Sequence, residues 1–482
     1  MKSIHSLANL TLAALSAAVL SACGGGGDVA TGPAVDLTTA RGTLVANPPA
    51  ILASFPAAAD YTAVLNSSAS GKGLLALAGT PKCGATFHYM EYNTVGGQGE
   101  ATNATGGIIV PTGTDAACTG PRPVLLYSHG TTVEKGYNFA SPANSETALV
   151  AAMYAGQGFI VVSSNYAGYD ASRLSYHPYL NAEQQSNDMI DALRAARKAF
   201  PNIGATPSSK LFLSGYSQGG HVAMATHKAM QTNYASEFSV TALGGMSGPY
   251  SLVKTFQTVF AGGVNAGATV FTPLILTSWQ KAYGNVYAST ADVYEAPYAT
   301  GIESLMPGLL TFNQLFTTGK LPLKLFASGP LVTGDPSLDG LFAAGIGTPN
   351  LIKQSYRQAI LSTPTHPAWV AAAKNDLLNW TPTRPIAMCM GSGDPTVFAS
   401  NTADAATYFA GKGAGALLKV FNVEDASTVG PQIAGGFAAQ KAAAAADPTL
   451  GASAAERVVS AYHGTLVPPF CNLAVRAFFQ SM

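Results

Sequence analysis

From Pro123 onward the chain alternates short apolar runs with segments of helical period, and this alternation limits the fold more than any other feature. The order is PVLLYSHG (strand-like), SETALVAAMYAGQG (helical), FIVVSSNYAG (strand-like), EQQSNDMIDALRAARKAF (helical), KLFLSG (strand-like), GGHVAMATHKAM (helical) and VTALGGMSG (strand-like). Strand runs this continuously apolar have no polar face to offer water, so they predict a mostly parallel sheet covered by helices on both sides, an α/β fold. Two earlier segments, ATFHYMEYNT and EATNATGGIIVPTG, alternate in polarity around the turn signal GGQG and predict an antiparallel pair. The stretch before about Pro81 carries no clear period.

The rhythm stops near Pro249. Residues 250–383 are rich in Leu, Phe, Tyr and Pro and read as helical, as in PLILTSWQKAYG and PAWVAAAKNDLLNW. Strand patterns resume with PIAMCMGSGD and ALLKVFNV, and PPFCNLAVRAFFQ closes the chain as a helix. The expected organisation is therefore a core at 51–249, a helical cap or lid inserted after its sixth strand at 250–383, and the rest of the core at 384–482. The Ala- and Gly-rich stretch before the last helix reads as a surface helical excursion.

Within this frame, KLFLSGYSQGGHVAMATHK places Ser217 at a strand-to-helix junction. With 51 glycines in the chain, Gly-x-Ser-x-Gly alone is weak; its position after an apolar run and before a helical period is what counts. A serine in such an elbow sits in strained backbone, and Gly215, Gly219 and Gly220 leave room where strand and helix meet. The Gln218 N–H, at the helix start, is free to bind an oxyanion. A serine nucleophile needs a base, itself oriented by a carboxylate. Asp394, in GSGDPTVF directly after a strand, and His463, in a loop before the last helix, supply these in that chain order. Asp425, after the next strand, is the competing acid; Asp404 falls inside a helical pattern. His221 lies one turn after Ser217 and reads as a core or supporting residue, while His88, His227 and His366 sit on other elements.

Charge excludes one class of partner: only 10% of residues are charged and the formal net charge is zero, so nothing steers nucleic acid to the surface. The N-terminal run LANLTLAALSAAVLSAC follows Lys2 and has the length of a signal segment, with residues 1–22 removed. Its end, Leu20-Ser21-Ala22-Cys23, resembles the lipobox of bacterial lipoproteins. That resemblance implies a lipid anchor on Cys23, a flexible tether over 23–50, and an exported protein held at the outer membrane or cell surface. Four cysteines then remain, an even number in an oxidising compartment, which predicts two disulfides. No cysteine spacing suits a metal, and no cofactor is expected.

Together YSHGTT, SSNYAGYDASRLSYHPYL, GYSQGGHVAMATHKAM, GSGDPTVF and YHGTLVPPF resemble the secreted lipase and esterase branch of the α/β-hydrolase superfamily. The elbow and the His-Pro-Tyr segment are the most specific parts. The resemblance implies that the His129-Gly130 pair belongs to the oxyanion loop, with the Thr131 N–H as second donor ahead of Gly130. It also implies hydrolysis of carboxylic esters with apolar acyl groups by Ser217, His463 and Asp394. A polyester depolymerase and a prolyl-type serine aminopeptidase fit the same triad; the aminopeptidase needs cap carboxylates, for which Glu295, Glu303 and Asp335 are candidates. A lipid-tethered binding protein is the reading without catalysis. For the disulfides we expect Cys83–Cys118, flanking the antiparallel pair, and Cys389–Cys471, pinning the acid loop to the last helix.

Overall fold

The computed structural model describes residues 36–327, 350–451 and 453–482. Nine strands form one sheet in the order β1-β2-β3-β5-β4-β6-β7-β8-β9. The antiparallel part comprises β1 (Ala50–Phe55), β2 (Gly84–Val95) and β3 (Ala101–Thr112). β2 and β3 pair along their whole length, from Gly84 opposite Thr112 to Val95 opposite Ala101, as the alternation predicts. β3 then runs antiparallel to β5 (Ile160–Ser164). From there the sheet is parallel through β4 (Arg122–Ser128), β6 (Pro207–Tyr216), β7 (Ala242–Met246), β8 (Ile386–Met390) and β9 (Leu418–Asn422).

Period-two side-chain alternation divides the parallel strands between two cores. Leu126 of β4 and Val162 of β5 face the side covered by α4 (Ala182–Ala199) and α5 (Gln218–Asn233), among them Met189, Leu193, Val222 and Met224. Their neighbours Leu125 and Val161 face the side covered by α3 (Ser145–Met153) and the C-terminal helix Val467–Gln480. Asn144 and Asn181 cap α3 and α4, each accepting backbone N–H bonds of the first turn, which fixes where the helices begin.

The N-terminal part differs from expectation. The stretch before Pro81 holds β1 and two helices, α1 (Ala58–Asn66) and α2 (Ala69–Ala78), so the inserted segment follows the seventh strand rather than the sixth. β1 is an edge strand with Ile51 and Leu52 exposed and no residue fully buried, so nothing imposes an alternating pattern on it. The signal segment, Cys23 and the start of the expected tether lie outside the described residues. Its end, from residue 36, is folded against the sheet: Gly42 N–H donates to Asn93 O at 2.8 Å, Leu44 bridges Tyr92, and Arg41 pairs at 2.8 Å with the buried Asp191.

Residues 250–327 and 350–383 are helical, led by α6 (Leu252–Ala261) and α7 (Ala268–Tyr283). They build a third apolar cluster around Phe256, Leu276, Trp279, Tyr294 and Ile360, joined by Val133, Tyr179 and Leu180 of the core. Both expected disulfides are formed, Cys83–Cys118 and Cys389–Cys471. Among the described residues no helix is long and apolar enough to cross a membrane.

Candidate active site

The end of β6 turns into α5 through Ser217, whose φ of 59° and ψ of −123° are strained for a residue with a side chain. Two close approaches dictate its neighbours. A Cβ on Gly219 would come within 1.9 Å of Ser128 O, and one on Gly215 within 2.2 Å of Gly219 O. The turn therefore closes against the end of β4 only with glycine at both positions.

The structure brings Ser217, His463 and Asp394 together. His463 Nε2 lies 2.8 Å from Ser217 Oγ and its Nδ1 lies 2.7 Å from Asp394 Oδ2. Asp394 is buried, and its other oxygen accepts the N–H groups of Thr396 (2.9 Å) and Val397 (3.0 Å), so the carboxylate cannot swing away. A carboxylate facing Nδ1 keeps the proton there and leaves Nε2 free to accept one from the serine hydroxyl. His463 is not in a loop: it occupies a wide helical turn, Tyr462–Leu466, joined directly to the C-terminal helix. Gly464 and Thr465, both weak helix formers, make this turn read as loop in sequence.

Asp425 and Asp404 take no part. Asp425 is exposed and caps the helix Ala426–Val429 through Ser427, and Asp404 pairs with Lys254 at 2.7 Å. His221 is buried with Nε2 3.0 Å from Asn375 O, in keeping with a core role. His88 lies on β2, His227 contacts Trp380, and His366 caps the helix Pro367–Asn375. His129 is buried between Tyr137 and Tyr166, both rings 4.1 Å away.

Beyond the expected residues, two groups brace the site. Tyr216 O–H donates to His463 O at 2.6 Å, holding the imidazole's backbone beside the serine. Glu146, in the first turn of α3, accepts the Gly130 N–H (3.0 Å) and the Tyr127 O–H (2.9 Å). The first contact occupies the Gly130 N–H. An acid in a first helical turn ordinarily answers the helix dipole, so sequence gave no reason to single Glu146 out. Tyr216 was visible only as the residue before the serine.

Burial raises the Glu146 carboxyl to about 7, against the opposing pull of its Tyr127 and Gly130 hydrogen bonds. A raised acid pKa means the folded protein holds the proton more tightly than the unfolded chain, so this stability is fully present below about pH 4.5 and is lost as pH rises through 7. Glu146→Gln should thus match the wild type in unfolding free energy, measured by urea titration, near pH 4 and exceed it at pH 8 by on the order of 3 kcal/mol. Asp188, raised to about 7 by burial, titrates in both proteins and cancels. Equal unfolding free energies at pH 8 would refute this reading of Glu146.

Ser217 lies where two cavities meet. The described residues enclose one of about 1860 Å³, reached by His463, Glu146, Thr131, Leu74 and Phe316. A second, of about 70 Å³, is lined by Leu252, Phe256, Phe271, Trp279 and Phe398, and among the described residues no charged side chain lines it.

Comparisons with known proteins bear on the fold and the family. The family described as secretory lipase matches residues 140–292. The crystal structure of the rice cell wall degrading esterase LipA from Xanthomonas oryzae is 27% identical, with a TM-score of 0.68 over 82% of this chain and 95% of that one. A ligand-bound form of the same esterase is 28% identical at a TM-score of 0.67, covering 82% of this chain and 97% of its own. A Legionella pneumophila protein described as a hydrolase, 20% identical, shares the fold at a TM-score of 0.64 over 82% of this chain and 95% of that one. No curated protein sequence matches.

Proposed function

From the premise that this chain is an α/β hydrolase, with a segment at 140–292 like the secretory lipases, we propose that it is a serine carboxylic ester hydrolase. The observation that carries the proposal is the hydrogen-bonded chain from Asp394 through His463 to a serine held at positive φ. Ser217 Oγ attacks the ester carbonyl while His463 Nε2 takes its proton; His463 then protonates the departing alcohol, leaving an acyl-serine. Water, deprotonated by His463, releases the acid. The Gln218 and Thr131 N–H groups hold the oxyanion in both halves.

Support for an apolar acyl group comes from the small cavity beside Ser217, which offers mostly aromatic and aliphatic walls and, among the described residues, no charge. The large cavity on the other side has room for a much bulkier partner, a triacylglycerol or a polyester included. The aminopeptidase alternative needs a carboxylate free for a substrate ammonium. Glu303 is already engaged by Lys281 (3.0 Å) and Tyr287 (2.7 Å), and Glu295 by Asn350 (3.3 Å); neither lines a cavity at Ser217. Asp335 lies outside the described residues.

The test is a p-nitrophenyl acyl ester series run beside proline p-nitroanilide, with fluorophosphonate labelling of Ser217. We expect labelling, and ester kcat/KM at least about a hundredfold above the anilide. An anilide preference moves the chain to the peptidases; no labelling leaves the lipid-tethered binding protein. Two disulfides and the secretory-type segment favour export, and Cys23 is proposed as the lipid acceptor that would hold the enzyme at a membrane.

A further inference from the structure

One segment, of which Tyr179 and Leu180 also line the small cavity beside Ser217, contacts both halves of the proposed oxyanion site. His177, Pro178, Tyr179 and Leu180 lie between β5 and α4, with His177 and Tyr179 buried. His177 Nδ1 is 3.0 Å from Ala167 O and its Nε2 is 2.8 Å from the side-chain nitrogen of Gln218. A carbonyl oxygen only accepts, so Nδ1 carries the ring proton. Burial holds the imidazole neutral, lowering it to about 3, and Nε2 therefore accepts from the Gln218 amide. Two residues on, the Tyr179 hydroxyl is 2.7 Å from Thr131 Oγ1.

Gln218 and Thr131 belong to different elements, the start of α5 and the loop after β4, and the hydrogen bonds described tie each of them to this segment. The backbone here is strained, with Leu180 at φ 50°, and strain of that kind persists only where surrounding contacts over-determine it. Above, Trp279 of α7 donates to Leu180 O at 3.4 Å; below, Asn181 caps α4.

We propose that His177 and Tyr179 are positioning residues, a single brace that fixes the spacing between the Gln218 and Thr131 peptide N–H groups so that both reach one oxyanion. The proposal rests on the serine hydrolase reading. An oxyanion forms only along the reaction path, so loosening the brace weakens binding of the transition state and leaves ground-state binding alone.

The experiment measures kcat and KM on a short p-nitrophenyl ester, with melting temperatures, for Ser217→Ala, Tyr179→Phe, Thr131→Val, the Tyr179→Phe/Thr131→Val double variant, His177→Leu and His177→Gln. Tyr179→Phe removes one oxygen, so it should fold and lose about tenfold in kcat, with KM within about twofold. Thr131→Val should do the same, and the double variant should be no worse than either single change, because both break one contact. His177→Gln, which keeps an acceptor near Gln218, should recover most of the kcat lost in His177→Leu. An unchanged kcat in Tyr179→Phe and His177→Leu overturns the brace, as does a loss carried by KM alone, which would make the segment a pocket wall. Full activity in Ser217→Ala instead overturns the hydrolase reading beneath it.

Discussion

Replacing Asp394 by Asn should lower kcat by about 10⁴ while leaving the melting temperature nearly unchanged. The reason lies in the other carboxylate oxygen. Oδ1 accepts from Thr396 and Val397, so an Asn side chain keeps its own oxygen there and turns its NH₂ toward His463 Nδ1. A donor facing Nδ1 forces the ring proton onto Nε2, which then cannot accept from Ser217. Asp425→Asn is the control: Asp425 is exposed and caps a short helix, a place where Asn serves equally well, and activity should not change. Inactivation by Asp425→Asn alone would show the acid to be misassigned. Ser217→Ala should be at least as damaging as Asp394→Asn.

A second large effect is expected at Cys389 and Cys471. The bond joins β8, which leads into the Asp394 loop, to the C-terminal helix that follows His463, and its cysteines are 82 residues apart. The loop-closure relation for that length gives about 4.5 kcal/mol of stability through restriction of the unfolded chain. Cys389→Ala with Cys471→Ala should lower the unfolding free energy from urea titration by most of that amount and raise activity loss on mild heating. The Cys83–Cys118 bond, with a separation of 35, spans strands that already pair in full register, and its removal should lower the unfolding free energy less. Equal shifts, or a loss below about 1 kcal/mol at Cys389 and Cys471, would contradict the argument.

Sequence period was enough to read the parallel sheet, because strands buried on both faces are apolar throughout and stand out from polar-faced helices. Ser217 was legible for a similar reason: the elbow needs glycine at fixed offsets, a steric demand written in consecutive letters. β1 was not, since an edge strand with exposed Ile51 and Leu52 imposes no alternation. The end of the expected tether failed differently, because Arg41 finds its partner on a helix far along the chain, and no local pattern encodes such a pairing. The same limit applies at the site. Glu146 and Tyr216 make contacts with residues distant in sequence, and each by itself is an unremarkable acid or aromatic; the His177-Pro178-Tyr179 segment stood out only through the family resemblance, which gave no hint of its contacts to Gln218 and Thr131.

The chain leaves β7 at Met246, close to the serine turn, and re-enters the sheet at Ile386 on the neighbouring strand. Parallel neighbours need a crossover in any case, so the helical insertion occupies a connection the topology already requires. Lengthening such a connection is entropically mild, about 0.6 kcal/mol for each doubling. Because its apolar cluster is largely its own, with Phe256, Trp279 and Tyr294 at the centre, the inserted stretch can be exchanged or rebuilt without disturbing strand register. Because the same block supplies Phe256, Phe271 and Trp279 to the walls of the small cavity at Ser217, exchanging it should change what that cavity admits while Ser217, Asp394 and His463 stay on the core.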